Sequence, residues 1–544
     1  MAYAITQSCC NDASCVSVCP VDCIHPTPDE PDFGLTDILY VDPDVCIDCG
    51  ACADACPVSA VKPVEILRGG EEVFAQLNAD FYATRPERQK PRTHTWEEVG
   101  DDLARPLRVA IVGTGPAASY AARHLLLSSE ATISMIDKSP VPGGLVRGGV
   151  APDHTDTKKF ASLFHWAYKH PRTKMYMNVE VGRDVTHAEL LEHHDAVIYG
   201  VGARLDRTLG VPGEDLAGVH GAPEVVGWYN GALDVPAGAV SPSGERVVVV
   251  GTGNVALDVA RILLEDPERL ARTDIADHAL DALRRHRVRE VVLLGRRGPA
   301  SAAFTRPELL MMPAGIEVVV ARDPATEAEL LDPAPDSNAA LLARLPLVDV
   351  DLTADPVGDR RLVFAFGQQV TQVLGTDRVE ALRVAPTGRP DDAVTVPAGT
   401  LVRSTGHRGA PIPGLPFDEA TSTVPNDEGR VIDPATGEPV PGTYVVGWIK
   451  RGATGGIGTN RTCAHATVST LIADANAGRL AQRGGPRLAF SAYLRRRVRG
   501  VVGRRRMLSI ERAEERAGVA SGRPRVKFAS AEEMLRVRTN ASIH

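Results

Sequence analysis

Beyond its first sixty residues the chain has almost no cysteine. Of the ten in 544 residues, nine lie between Cys9 and Cys56 and only Cys463 follows. That distribution excludes a disulfide framework stapling the whole chain, and thiols crowded into one corner point first to metal ligation. No run of about 18 residues is apolar and free of charge, so no membrane span is expected. The opening MAYAITQSCC has no basic stretch followed by an apolar one. No secretory signal is therefore expected, and a cytoplasmic location is. With 44% hydrophobic and 24% charged residues and a net charge of −9, the chain is neither disordered nor collagen-like. Its length argues for two to four domains.

Cys46, Cys49, Cys52 and Cys56 follow the spacing C-x2-C-x2-C-x3-C, closed by Pro57. This is the bacterial ferredoxin run, in which three thiolates hold one iron–sulfur cluster and the fourth reaches to a second. Cys9, Asp12, Cys15 and Cys19-Pro20 repeat it with aspartate at the second position. Pseudo-twofold pairing of the halves gives Cys19, Cys46, Cys49 and Cys52 to one cluster, and Cys9, Cys15 and Cys56 to the other. A hard carboxylate suits iron in a sulfide-rich cluster less well than thiolate. One [4Fe–4S] and one [3Fe–4S] cluster are therefore expected, the alternative being a second [4Fe–4S] closed by Asp12 or water. Cys10 could replace Cys9, and Cys23 is surplus. A zinc ribbon also uses C-x2-C pairs, but it needs four ligands, and here two overlapping runs each carry a trailing proline. Asp12 on its own reads as a solvated turn residue; its place in the spacing favours the cluster corner. Residues 1–65 are expected to form a two-cluster ferredoxin domain with His25 to Asp44 as an inserted loop. Residues 66–106 read as a linker with one strand at most.

Two glycine-rich turns follow, each between an apolar β-branched run and an apolar helical segment, the context a dinucleotide fingerprint requires. In the first, Val109 to Val112 leads into Gly113-x-Gly115-x-x-Ala118. Gly113 makes the tight turn, Gly115 lets backbone approach a pyrophosphate, and Ala118 permits close helix–strand packing. The next strand ends at Asp137, whose carboxylate can accept from a ribose hydroxyl. In the second unit, a strand ending at Val250 leads into Gly251-x-Gly253-x-x-Ala256, and the strand after it ends in Arg296-Arg297. Paired guanidiniums at that place match a 2′-phosphate. The first unit is expected to bind FAD and the second NADP(H). Alone, an arginine pair reads as a solvated loop; the strand end favours the phosphate. The fold class expected is α/β, a ferredoxin-like α+β domain followed by two Rossmann-like domains.

The strings GLVRGGVAPDH, GWYNG, GTGNVALDVARILL, GRRGP, AFTRPEL and GWIKRGATGGIGTN resemble those of the adrenodoxin reductase-like ferredoxin–NADP+ reductases. With the cysteine block attached, residues 1–480 are similar to the fused ferredoxin/ferredoxin–NADP reductases of actinobacteria. The resemblance implies an FAD domain in two pieces, 107–206 and 401–485, around an NADP domain at 207–400, with an Arg-rich helical extension at 486–544. It implies FAD contacts at Ala117 or Ala118, Asp137 (Glu in the family), Leu145, Val181, Gly455, Gly456 and Ile457, with Trp448 near the isoalloxazine. It implies NADP contacts at Arg207, Asn254, Val255, Ala256, Leu257, Arg296, Arg297, Glu308 and Gly455, and places His154 near the flavin. Outside this motif Trp448 would read as a core or surface indole, and His154 as a turn cap. The family commonly has E-L-R-E after the AFT string; here Glu308 is followed by Leu309, Leu310 and Met311, so a relay through a second glutamate is not expected. Cys463 reads as a buried structural thiol.

The implied activity is that of a ferredoxin–NADP+ reductase, with His154 and Trp448 as candidate catalytic residues. NADPH gives a hydride, clusters take single electrons, and a flavin joins the two. Electrons are expected to pass from NADPH through FAD and the fused clusters to an external ferredoxin or other one-electron carrier. The Arg-rich tail could dock an acidic partner. A helical extension packed on the FAD domain is the simpler reading, and no nucleic-acid-binding motif accompanies it. Two rivals are the FAD/NADPH input subunit of a larger iron–sulfur oxidoreductase such as glutamate synthase, and a redox-sensing flavoprotein without turnover.

Overall fold

The β-branched runs become parallel strands buried on both faces, as near-continuous apolar sequence requires. In the computed structural model, which describes residues 2–83, 85, 106–334, 337–480 and 488–538, they build two seven-stranded sheets. Arg108–Val112 is central in the first. Thr132–Asp137 and Thr173–Met177 lie to one side of it, Ala196–Tyr199 and Pro439–Val445 to the other, all parallel. The second sheet is wholly parallel, in the order Val219–Gly221, Thr400–Arg403, Arg246–Val250, Glu290–Gly295, Arg361–Phe366, Glu317–Ala321 and Leu347–Val348. The first sheet thus takes strands from both sides of the second in sequence. Where the chain crosses between them, Leu205–Asp206 pairs with His407–Arg408.

The division expected at residue 400 is corrected by this topology. Thr400–Arg403 lies inside the second sheet, between Val219–Gly221 and Arg246–Val250, so the crossing falls after Arg403. Arg403 seals the crossing by donating to Asp206 and Glu214 at 2.8 and 2.9 Å.

The linker expectation is also corrected. In the N-terminal module Tyr3–Ile5 pairs with Val61–Pro63 and Ile24–His25 with Tyr40–Val41. The first run is a series of turns, and Ala51–Ala55 forms a short helix in the second. Residues Val73–Ala83, read as linker, are a helix that belongs to this module. Phe74, Phe81 and Tyr82 are buried in its core. Between them Asn78 accepts from Ile5 N and Val41 N at 3.1 and 2.8 Å and donates to Ile5 O and Phe74 O at 2.9 and 2.8 Å. One amide thus ties the helix to both strand pairs, and its bonds make a polar core position affordable. Most of the remaining expected linker, residues 86–105, lies outside the described residues.

The Arg-rich extension folds as helices Leu488–Arg497, Arg504–Ala520 and Ala531–Arg536. It packs on the first sheet, where Val502 and Met177 exchange backbone bonds at 2.9 Å. The fully buried Glu514 takes both Nη atoms of Arg147 at 2.6 and 2.8 Å, and Phe528 N at 3.0 Å. Burial alone would raise this carboxyl, but Arg147 outweighs it and holds Glu514 below the usual range. Glu514→Ala leaves Arg147 without that partner, an expected cost of about 3–5 kcal/mol. The urea midpoint should fall, and proteases should cut the extension first. Among the described residues no helix is long and apolar enough to cross a membrane.

Candidate active site

The two cysteine runs fold alike. Two and four residues after the first cysteine of each, the backbone is left-handed: Asn11 (φ 55°) and Ala13 (57°) in one, Asp48 (60°) and Gly50 (76°) in the other. Three residues after each closing cysteine it is left-handed again, at Asp22 (49°) and Ser59 (53°). The two runs therefore turn at the same steps. Cys9, Cys15 and Cys56 surround one cavity together with Cys10 and Asp12, and Ile5, Leu39 and Val61 close it. Cys19, Cys46, Cys49 and Cys52 interact around the second centre, where Cys23 Sγ lies 3.4 Å from Cys19 Sγ.

Burial pushes the Cys9 thiol up to about 12 and Cys10 and Cys15 well above the usual thiol range. Thiols so desolvated do not ionise unless a cation is supplied, and a metal centre supplies one. A donor set dominated by thiols in a largely apolar cage suits iron–sulfur chemistry. Asp12 differs from its neighbours. Ser14 N and Oγ donate to its two oxygens at 3.2 and 2.5 Å, and Arg461 Nη1 lies 3.8 Å away.

Both glycine turns are set by steric necessity. Gly113 sits at φ 103°, and a Cβ there would fall 2.4 Å from Gly200 O; Gly251 repeats this at φ 129°, 2.2 Å from Ser404 O. The turns deliver helices Pro116–Ser128 and Asn254–Leu264 with their N-termini at the ends of the strands, where an anion is favoured. Gly144 approaches Gly115 so closely that a Cβ on it would lie 2.7 Å from Gly115 Cα, while the space over Gly253 is open. Ala117 and Ala118 are buried in the first turn of the first helix. In the second, Ala256 and Leu257 turn their side chains into the core, and their N–H groups already donate to Gly253 O at 3.0 and 3.1 Å. That leaves Asn254 and Val255 at the helix mouth.

Asp137 is buried at its strand end, accepting from Thr114 Oγ1 at 2.7 Å and Ser139 N at 2.9 Å. At the matching place in the second sheet Arg296 and Arg297 are exposed. Arg207 is exposed near the crossing. Leu145 opens the short helix Leu145–Gly148, and Val181 is half-buried beyond Thr173–Met177. Trp448 Nε1 donates to Thr454 O and Gly455 O at 3.0 and 3.2 Å. The indole thereby pins the loop that presents Gly455, Gly456 and Ile457. Cys463 is buried, and its sulfur accepts from Gly447 N at 3.2 Å.

His154 stands in a charged cluster at the seam of the two sheets. Its Nε2 lies 2.8 Å from Arg261 Nη2 and 3.6 Å from Glu308 Oε2. Arg261 is buried and also donates to Asp153 at 2.6 Å and Asp258 at 2.6 Å. Burial holds the Glu308 carboxyl above its usual range, whereas Asp153, which burial would also raise, is held low by Arg261. His154, Asp258 and Glu308 could bracket a metal ion, but Arg261 already serves as their cation.

Arg261, Asp153, Asp258 and Gln7 were missed in the sequence reading. Asp258 and Arg261 had a signal: a charged pair three residues apart inside an apolar helix. Gln7 had none. It comes from the N-terminal module and donates to Glu308 Oε2 at 3.3 Å, 3.5 Å from His154 Nε2. Met311 lies against the same module: a Cβ on Gly70 would stand in van der Waals contact, 3.4 Å from Met311 Sδ. Beside it Arg306 N donates to Asp37 at 2.9 Å.

Two sheets, one wholly and one largely parallel, each with a glycine turn at its strand ends, and a thiol-rich module on their seam define a dinucleotide-dependent oxidoreductase with an iron–sulfur module. Residues 39–62 match the 4Fe-4S binding domain family, and residues 107–294 the pyridine nucleotide-disulphide oxidoreductase family. A Mycobacterium tuberculosis protein named probable ferredoxin/ferredoxin–NADP reductase is 48% identical over 556 residues, covering 99% of this chain and 96% of its own. Human mitochondrial NADPH:adrenodoxin oxidoreductase is 38% identical over 462 residues, 79% of this chain and 91% of its own. The solved structure of Mycobacterium tuberculosis FprA in complex with NADPH matches with a TM-score of 0.70 at 41% identity, covering 80% of this chain and 99% of that one. The chain belongs to the ferredoxin/ferredoxin–NADP reductase family.

Proposed function

We propose that the chain oxidises NADPH and passes the electrons singly through its own iron–sulfur module to an external carrier. One observation carries this reading: Gln7 of the thiol-rich module reaches His154 and Glu308 at the seam of the two dinucleotide units. FAD, when bound, supplies the chemistry that takes a hydride and releases electrons one at a time. The turn from Gly113 to Ala118 holds its pyrophosphate, Asp137 its ribose, and Leu145, Val181, Trp448 and residues 455–457 the remainder. Asn254 and Val255 take the NADP(H) pyrophosphate, Arg296 and Arg297 the 2′-phosphate, and Arg207 and Glu308 further polar groups. His154 Nε2 accepts from Arg261 Nη2 at 2.8 Å, and Gln7 donates to Glu308 Oε2 beside it. The raised Glu308 carboxyl suits it to hold a proton at the seam.

Cys19, Cys46, Cys49 and Cys52 hold a [4Fe–4S] cluster, and Cys9, Cys15 and Cys56 a [3Fe–4S] cluster. The bonds from Ser14 and the approach of Arg461 engage Asp12, which supports three iron atoms at that corner rather than four. Anaerobic purification should yield one flavin and about seven iron atoms per chain rather than eight. An EPR signal of the oxidised three-iron centre should disappear on adding NADPH. Flavin bleached by NADPH beside clusters that stay oxidised through long incubation would overturn the relay.

A further inference from the structure

The two thiol sets stand differently toward the rest of the chain. The loop carrying Cys9 and Asp12 lies directly on the segment after the Trp448 loop. Gly458 N donates to Cys10 O at 2.7 Å, Arg461 Nη1 donates to Asp12 O at 2.8 Å, and a Cβ on Gly458 would fall 2.1 Å from Asn11 O. The second set, in which Cys52 is buried and Cys19 and Cys46 half-buried, reaches the surface at Cys49. Cys49 is exposed, Ile47 is 58% exposed and Val18 40%, and Asp44, Asp48 and Asp54 are exposed on the same run. The first 61 residues hold ten carboxylates and neither Lys nor Arg.

We propose that the set of Cys9, Cys15 and Cys56 is the entry to the iron–sulfur module, and that the set of Cys19, Cys46, Cys49 and Cys52 is its exit. There a basic one-electron carrier docks on Val18, Ile47 and Cys49. The proposal rests on the NADPH relay above. The charge of the module selects the partner: like-signed faces repel on approach, so a second acidic ferredoxin is disfavoured and a carrier with a lysine-rimmed face is drawn in. The balance is one NADPH and two oxidised carriers giving NADP+, a proton and two reduced carriers. Each electron crosses the entry set and then the exit set singly.

The test uses the holoenzyme, mixed anaerobically with NADPH and a basic cytochrome c. Flavin bleaching, freeze-quenched EPR of both centres and cytochrome absorbance are followed in the same shots. The entry signal is expected to change before the exit signal. Cytochrome reduction is expected to fall about tenfold or more between low salt and 0.5 M salt. Ile47→Lys removes the apolar contact and opposes a basic carrier; it should slow cytochrome reduction about tenfold relative to flavin bleaching and speed reduction of an acidic ferredoxin. Cytochrome reduction unchanged in Ile47→Lys overturns the docking face. In Cys15→Ser the exit signal should still appear with dithionite but about a hundredfold more slowly with NADPH, since electron transfer falls steeply when an intermediate centre is lost. An exit signal at the native rate overturns the order, and if that variant does not fold, the order of the two signals in the native enzyme decides. If flavin bleaches and neither signal moves, the relay itself fails, a result distinct from a reversed order.

Discussion

Replacing Arg296 and Arg297 together by glutamine is expected to lower kcat/KM for NADPH by about 10²- to 10⁴-fold and to leave NADH nearly unaffected. The estimate follows from two charge-assisted bonds at about 1.5–3 kcal/mol each, discounted for exposure. The geometry favours an effect in that range. Both residues follow the strand Glu290–Gly295, and their carbonyls are held, Arg296 O by Thr387 Oγ1 at 2.9 Å and Arg297 O by Gly367 N at 3.3 Å. The backbone is therefore fixed, and neither guanidinium forms a salt bridge among the described residues, so no internal partner has to be given up. In the first unit Asp137 occupies the matching strand end and is closed in by Thr114 and Ser139; a phosphate there would meet like charge. Stopped-flow flavin reduction with each nucleotide measures the ratio. An unchanged preference would move the 2′-phosphate to other residues. Raising the salt should weaken NADPH more than NADH in the native enzyme, because the arginines are exposed and screened.

The parts of the fold legible in the sequence are those where one residue type has no substitute. Gly113 and Gly251 could be read because their turns admit no Cβ, and the cysteine runs because each ligand must be a thiol at a fixed step. The strands beside them were legible from apolar continuity. The helix Val73–Ala83 was not, because its middle residue is Asn78, a polar side chain three of whose four bonds go to strands far away in sequence. The boundary at residue 400 was missed for a related reason: Thr400–Arg403 finds its two neighbours only once the sheet is assembled. At Ala256 and Leu257, both expected to touch the nucleotide, helix periodicity turns the side chains inward.

The seam was the least legible part of the site. Gln7, Asp37 and Gly70 belong to one module, and their partners Glu308, Arg306 and Met311 to another. No local pattern links residues so far apart. Met311 shows the cost of reading each module alone. Its departure from the family string looks like a lost relay group, yet Met311 is also one of the residues that lie against the docked module.

Arg261→Met is expected to destabilise the seam by about 3–5 kcal/mol near neutral pH, because it leaves Asp153, Asp258 and Glu308 packed together without their shared cation. The sign of its pH dependence distinguishes charge from packing. In the native protein Asp153 has a depressed folded pKa, so its contribution is present above about pH 4 and is lost as pH falls through the folded value. Glu308 runs the other way. Its folded pKa is raised, so it costs stability as pH rises from its usual value through the folded one. Without Arg261 the force that depresses Asp153 is gone, and burial raises both groups. The deficit of the variant should therefore be greatest near pH 8 and shrink toward pH 5, where protons neutralise the carboxylates. Hydrogen exchange of helix Asn254–Leu264 and urea midpoints at both pH values measure it. Arg261→Lys should recover only part of the loss, since an ammonium cannot fork to Asp153, Asp258 and His154 at once. A deficit of equal size at pH 5 and pH 8 would mean that Arg261 acts through the packing of its stem, and that the three carboxylates are not held by its charge.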